Sequence, residues 1–240
     1  MAQGFGPPGL RPQGFRARVL YPSIMALLSD RDRPLVEERL GEILHQVTLL
    51  FFTQTFAGPE TARLAKQILD EVATLNDRIT VEEVNFVLDK DRATQYGIED
   101  IPAIVLLRDG EDTRIRFLGA PSGYEFMSLV DAIVLAGTES SGLSDASKTL
   151  IAERVTAATD IKVFVTPTCP HCPRAVTLAH RIAVENPLVR ATCVEATEFM
   201  DLSRQYRVTG VPKTVVNDSI ELLGALPEDA FVRAVVGANE

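Results

Sequence analysis

The 240-residue sequence has no tryptophan, three histidines and three cysteines. So few cysteines cannot staple a disulfide scaffold, and any single pairing leaves one sulfur over. Positive charge is also in short supply: 24 Lys and Arg stand against 33 Asp and Glu, a net charge of −9. That balance argues against nucleic acid as a partner, and the small basic group Arg11, Arg16 and Arg18 reads as part of a solvated tail. Long apolar runs are absent as well. Residues 4–14 are rich in Gly and Pro, and the apolar stretch over 19–28 is broken by Pro22 and too short to span a bilayer. The expectation is a cytoplasmic protein with neither membrane nor nucleic acid as a partner, and with residues 1–30 forming a flexible N-terminal extension.

What is present is an ordinary globular composition, 46% hydrophobic and 24% charged, in a length that suits two domains of about 100 residues. The sequence repeats itself accordingly. Residues 50–59, Leu-Phe-Phe-Thr-Gln-Thr-Phe-Ala-Gly-Pro, align with 163–172, Val-Phe-Val-Thr-Pro-Thr-Cys-Pro-His-Cys. Gln95-Tyr96 precedes Ile101-Pro102 by the interval at which Gln205-Tyr206 precedes Val211-Pro212. Cys169 and Cys172 have Phe56 and Pro59 as their counterparts, so only the second copy carries sulfur.

Periodicity places a leading helix over 34–46, with Asp32 as its cap. Strand 47–53, helix 59–75, strand 81–88, short helix 90–96, strands 102–108 and 113–118, and helix 122–137 follow. The second half repeats the order: helix 146–158, strand 161–166, helix 170–185, strand 189–195, short helix 198–206, strands 212–217 and 219–223, helix 227–236. The fold class is α/β, each half reading βαβαββα after a leading helix, with mixed sheets covered by helices. The first two strands of each half are expected to be parallel and the last two to form a hairpin turned by Asp109-Gly110 or Asn217-Asp218. Domain boundaries are expected at 31–137 and 148–240, joined by a linker over 138–147.

A strand that runs onto Cys-Pro-His-Cys and then a helix makes Cys169 and Cys172 a candidate redox couple, because two sulfurs three residues apart can close a disulfide within one turn. A helix N-terminus favours a thiolate, so Cys169, at the helix start, is the expected nucleophile with a pKa below that of a free thiol. Cys172 is expected to be the more buried, resolving sulfur. Pro170 is expected in the first helical turn, where its missing N–H costs nothing, and His171 beside the sulfurs can favour the thiolate.

These residues resemble the thioredoxin fold twice over. Residues 33–237 are similar to the glutaredoxin-like protein disulfide oxidoreductases of archaea and bacteria, and to the two-unit N-terminal domain of the flavoprotein component of alkyl hydroperoxide reductase. The segment 119–130, Gly-Ala-Pro-Ser-Gly-Tyr-Glu-Phe-Met-Ser-Leu-Val, carries part of that likeness. The resemblance implies that Val211-Pro212 is a cis pair facing the disulfide, with the Val211 backbone and Pro170 and Pro212 receiving an extended substrate peptide. Ile101-Pro102 is its architectural counterpart in the first half.

The resemblance also implies that Glu125 lies near the disulfide from the other unit and exchanges a proton with Cys172. On the residues alone, Glu125 equally suits a helix N-terminus. The activity implied is thiol:disulfide oxidoreduction on protein substrates without a bound cofactor. An alternative is electron transfer between a separate flavin disulfide reductase and a peroxiredoxin. A reading of another class is a binding module in which the cysteines hold zinc.

Cys193 reads most simply as a small buried residue, with a third metal ligand beside Cys169, Cys172 and His171 as the alternative, for which one Cys-x-x-Cys without a second pair is a weak signal. His45, at the end of the leading helix, and His180 have no partner by spacing. Phe51, Phe52 and Phe56 read as core and as a plug of the sulfur-free site.

Overall fold

A computed structural model describes residues 27–54 and 58–239. The expected extension therefore lies almost wholly outside the described residues, as does Phe56. The elements of the first half are α1 (Arg33–Leu40), β1 (Val47–Thr53), α2 (Thr61–Ala73), β2 (Ile79–Asn85), α3 (Lys90–Tyr96), β3 (Ala103–Arg108), β4 (Glu111–Leu118) and α4 (Glu125–Ala136). Those of the second are α5 (Asp145–Arg154), β5 (Thr159–Val165), α6 (Cys172–Glu185), β6 (Val189–Glu195), α7 (Met200–Gln205), β7 (Lys213–Val216), β8 (Ile220–Leu223) and α8 (Glu228–Gly237). The βαβαββα order stands in both halves.

The eight strands form one sheet in the order β2-β1-β3-β4-β6-β5-β7-β8. The mixed sheets of the two halves are continuous across a seam. There β4 and β6 pair in parallel from Ile115↔Ala191 to Leu118↔Val194, so each half covers an open edge of the other. Within the halves, β1 and β2 run parallel, as do β5 and β6, while β3 and β4, and β7 and β8, are antiparallel hairpins. Asp109 and Gly110, and Asn217 and Asp218, all take positive φ, the geometry a tight hairpin turn requires.

Burial explains the strand sequences. Central β1, Val-Thr-Leu-Leu-Phe-Phe-Thr, is buried at every position but Thr48, because helices cover both faces of the sheet. Edge strand β8 is half-buried and exposed in alternation. On α2, Ala62, Ala65, Ile68, Leu69 and Val72 recur at helical spacing and turn inward. Phe51 and Phe52 belong to the core, as the sequence indicates. The repeat extends to side-chain packing: Tyr96 meets the Phe52 ring at 6.2 Å and Tyr206 meets Phe164 at 5.4 Å.

Several boundaries move. The leading helix stops at Leu40 rather than 46, because the N–H groups of Leu44 and His45 turn to the Gly137 carbonyl at 2.8 and 3.2 Å, at the end of α4. His45 therefore lies outside the helix, and it has a partner, Asp109, with Nδ1 2.7 Å from Oδ2. Asp32 takes the N-cap position in helical conformation, and its side chain makes no capping bond. In the second half, α5 ends at Arg154 rather than 158, since Val155 is extended at φ −89°, ψ 92°. Among the described residues no helix is long and apolar enough to cross a membrane.

Candidate active site

The buried strand β5 delivers the chain to a loop at residues 166–171, and the long helix α6 carries it away. Cys169 and Cys172 are joined there by a disulfide, their Cα atoms 5.5 Å apart. Cys169 is 9% exposed and Cys172 fully buried, so only the first sulfur is open to an incoming thiolate. The helix begins at Cys172 itself. Cys169 lies three residues before it, at the positive end of the helix, and its carbonyl accepts from the Cys172 N–H at 3.4 Å.

Two sequence expectations shift with that boundary. Pro170 is in the exposed loop, two residues ahead of the helix, and the proline of the first turn is Pro173. His171 occupies the N-cap position, exposed and without a capping bond.

Val211-Pro212, opposite the sulfurs, is cis, and so is its counterpart Ile101-Pro102 in the first half. The Val211 carbonyl oxygen lies 3.8 Å from Cys169 Sγ, a position from which it can accept the thiol proton in the reduced state. Pro212 is buried behind it.

The first half reaches the site through the start of α4. Tyr124 N–H donates to the Pro167 carbonyl at 2.9 Å, two residues from Cys169. Gly123 is obligatory at this crossing: its φ is +60°, and a Cβ would stand 2.2 Å from that same carbonyl oxygen. Two residues on is Glu125, 1% exposed. Burial pushes its carboxyl up to about 7, with the Ser128 hydroxyl and the Cys193 thiol opposing and the nearby charge of Glu195 adding.

The side chain that Glu125 touches is Cys193, whose Sγ lies 3.7 Å from Oε2; Oε1 has no hydrogen-bond partner. Cys193 is thus buried, as the strand pattern suggests, and also part of the site, which spacing did not reveal. Sequence reading also missed the seam's other acids. Glu195, 4% exposed at the end of β6, accepts from the Thr197 hydroxyl at 2.8 Å. Glu198 accepts from the Ala120 N–H at 2.8 Å, and burial raises its carboxyl too. The Glu198 bond ties the loop before α4 to the chain just beyond β6.

His180 is on α6, buried, with neither ring nitrogen hydrogen-bonded and its ring edge-on to Phe117 at 5.2 Å. Burial drives its pKa down to about 3, so it is neutral packing rather than a proton carrier. Among the described residues no three His, Cys, Asp or Glu side chains are grouped to hold a metal ion.

A strand, a Cys-x-x-Cys disulfide at a helix start and a facing cis-proline define the thioredoxin-fold disulfide oxidoreductases. Known proteins of similar sequence and shape agree. Residues 159–237 match the model of a thioredoxin domain. A structure of the alkylhydroperoxide reductase AhpF from Enterococcus faecalis (V583) is 30% identical, with 87% of this chain and 99% of that one covered at a TM-score of 0.81. A protein disulfide oxidoreductase from Aeropyrum pernix K1 is 27% identical over 88% of this chain and 93% of its own, at 0.80.

The chain belongs to the family of tandem, glutaredoxin-like protein disulfide oxidoreductases, which includes the N-terminal domain of AhpF. It spans only 26% and 34% of two curated relatives, an NADH dehydrogenase from Ferdinandcohnia aciditolerans and the AhpF of Pseudomonas putida, each 28% identical.

Proposed function

We propose that the protein exchanges dithiols and disulfides with protein substrates through Cys169 and Cys172. In the reduced state the Cys169 thiolate attacks a substrate disulfide, forms a mixed disulfide and releases one substrate thiolate. Cys172 then gives up its proton, attacks Cys169 Sγ, expels the second substrate thiolate and closes the Cys169–Cys172 bond. Two electrons pass to the substrate, and the reverse sequence oxidises a dithiol. The observation that carries this reading is the disulfide itself, with Cys169 slightly exposed and Cys172 wholly buried.

Glu125 is the proton acceptor we assign to Cys172. Its carboxyl, held at about 7, takes and returns a proton near neutral pH. The Val211 backbone and Pro212 flank the exposed sulfur where an extended substrate would lie, with Pro170 and His171 forming the outer rim. We place the reaction in a redox unit over 148–240. Residues 31–137 serve as its scaffold and the source of Glu125, with 138–147 as the linker.

The likeness to the alkylhydroperoxide reductase AhpF favours a second reading, in which the couple relays electrons from a separate flavin disulfide reductase to a peroxiredoxin in the cytoplasm.

The test is insulin reduction by the full chain with dithiothreitol as donor. Cys169→Ser is expected to abolish turnover, and Cys172→Ala to accumulate a mixed disulfide visible by mass. Full activity in Cys169→Ser would refute the proposal. Peroxide turnover with an added reductase and peroxiredoxin, without insulin reduction, would select the relay.

A further inference from the structure

The third sulfur is unused by the exchange just described. Cys193 sits in β6 between Phe117 of β4 and Val163 of β5, its backbone fixed by pairing on both sides. It is 3% exposed, and its Sγ reaches across to the first residue of α4, 3.7 Å from Glu125 Oε2. The carboxylate's other oxygen, Oε1, is buried with no partner. One oxygen is therefore held and the other left open, in a carboxyl sealed from bulk solvent.

We propose that Cys193 is a positioning residue for thiol–disulfide exchange: its S–H holds Oε2 of Glu125 and leaves Oε1 to receive the proton of the resolving thiol. The inference rests on the assignment of Glu125 as proton acceptor and supplies what orients it.

The surroundings keep Cys193 a donor. Burial, then the nearby Glu125 and Glu195, raise its pKa well above that of an ordinary thiol, so it stays protonated across the working range. Among the described residues no other element offers Glu125 a charged donor. On α4 the neighbour is the Ser128 hydroxyl, and from the end of β6 comes the like charge of Glu195. Helix α6 packs on α4, and its buried titratable residues are Cys172 and the neutral His180. A hydrogen bond to the ionised carboxylate favours that form, so its loss makes Glu125 a base only at higher pH.

The two chemical steps separate with dithiobis(nitrobenzoate) as oxidant of the reduced full chain. Cys169 releases the first nitrothiobenzoate as it forms the mixed disulfide. Cys172 releases the second as it closes the ring. Cys193→Ala is expected to slow the second phase about 3- to 10-fold at pH 7, more than the first. The pH midpoint of that phase should rise by about half a unit or more. Cys193→Ser, which restores a donor, should recover part of both effects. Cys193→Val, which fills the site without a donor, should behave as Ala does and carries the test if Ala fails to fold.

In the Glu125→Gln background, Cys193→Ala should add nothing. A second-phase pH profile in Cys193→Ala or Cys193→Val that superimposes on wild type overturns the inference. If Glu125→Gln also leaves that profile untouched, the assignment of Glu125 falls with it. If Glu125→Gln alone flattens it, Glu125 stands without Cys193.

Discussion

The two halves follow one blueprint, and they differ where chemistry needs something to differ. After β5 the chain meets Cys169 and Cys172; at the matching place after β1 it meets Pro59, half-buried ahead of α2. Both positions keep the cis-proline partner, at Val211-Pro212 and Ile101-Pro102, so the first half retains the frame and lacks the sulfur.

The last helix of each half begins with a glutamate, and the two meet opposite fates. Glu125 of α4 is buried at the seam and pushed up to about 7. Glu228 of α8 is half-buried and held below the usual carboxylate range by Ser147 and Ser144. The same residue at the same place in the plan is thus an acid in one half and a cap in the other. The cause is packing: α4 lies between α1 and α6 in the middle of the molecule, whereas α8 packs on α5 at its end.

The sharpest break of this comparison concerns the sulfurs. After mild reduction of the native chain, iodoacetamide is expected to label Cys169 about 10³-fold faster than Cys193. A buried thiol of raised pKa reacts only through an opening that costs several kcal/mol. Peptide mass mapping reads the ratio. Comparable labelling of Cys193 would mean that the seam opens readily, and that the carboxylate beneath it is not sealed from water.

Much of this was legible in the sequence because it is local. Alternation marked the strands, Asp-Gly and Asn-Asp marked the turns, and Cys-Pro-His-Cys after an apolar run marked the site. The seam was not legible, because the pairing of β4 with β6 joins residues 76 positions apart, such as Leu118 and Val194, that share no local pattern. Cys193 was read correctly as buried and incompletely as to its neighbour, since the contact with Glu125 exists only once that seam forms. Helix ends erred for a related reason. The carbonyl that draws the Leu44 and His45 N–H groups out of α1 belongs to Gly137, at the far end of α4. The likeness in the segment around Glu125 pointed to the acid, but not to what holds it.

The next break concerns stability. Glu125 ionises near 4.5 when exposed and near 7 when folded, so the folded state binds the extra proton between those values. Its stability therefore falls as pH rises through that window. The cost, fully expressed by pH 8, is about 3 kcal/mol. Glu125→Gln keeps the shape without the charge. It is expected to match wild type near pH 4 and to exceed it in urea unfolding by about 3 kcal/mol at pH 8. A difference that does not change with pH would show that the carboxyl is solvated, which would remove the contrast between the halves.

The smallest effect is the mirror image of that one. The Glu228 carboxylate accepts from the Ser144 N–H at 2.9 Å and from the Ser147 hydroxyl at 2.7 Å, tying the start of α8 to the first turn of α5. These bonds favour the charged form, so here the folded pKa is depressed and the stabilisation is present above about pH 4.5. It is lost as pH falls through the folded value. Partial solvent access limits it to about 1 kcal/mol. Glu228→Gln should therefore unfold about 1 kcal/mol more easily at pH 7 and converge with wild type below pH 4, while insulin reduction stays within about twofold. One substitution thus stabilises the molecule at high pH and the other destabilises it, although both remove a glutamate from the first residue of the matching helix. Slowed exchange in Glu228→Gln would place chemistry at the wrong end of the fold and undo the division of labour between the halves.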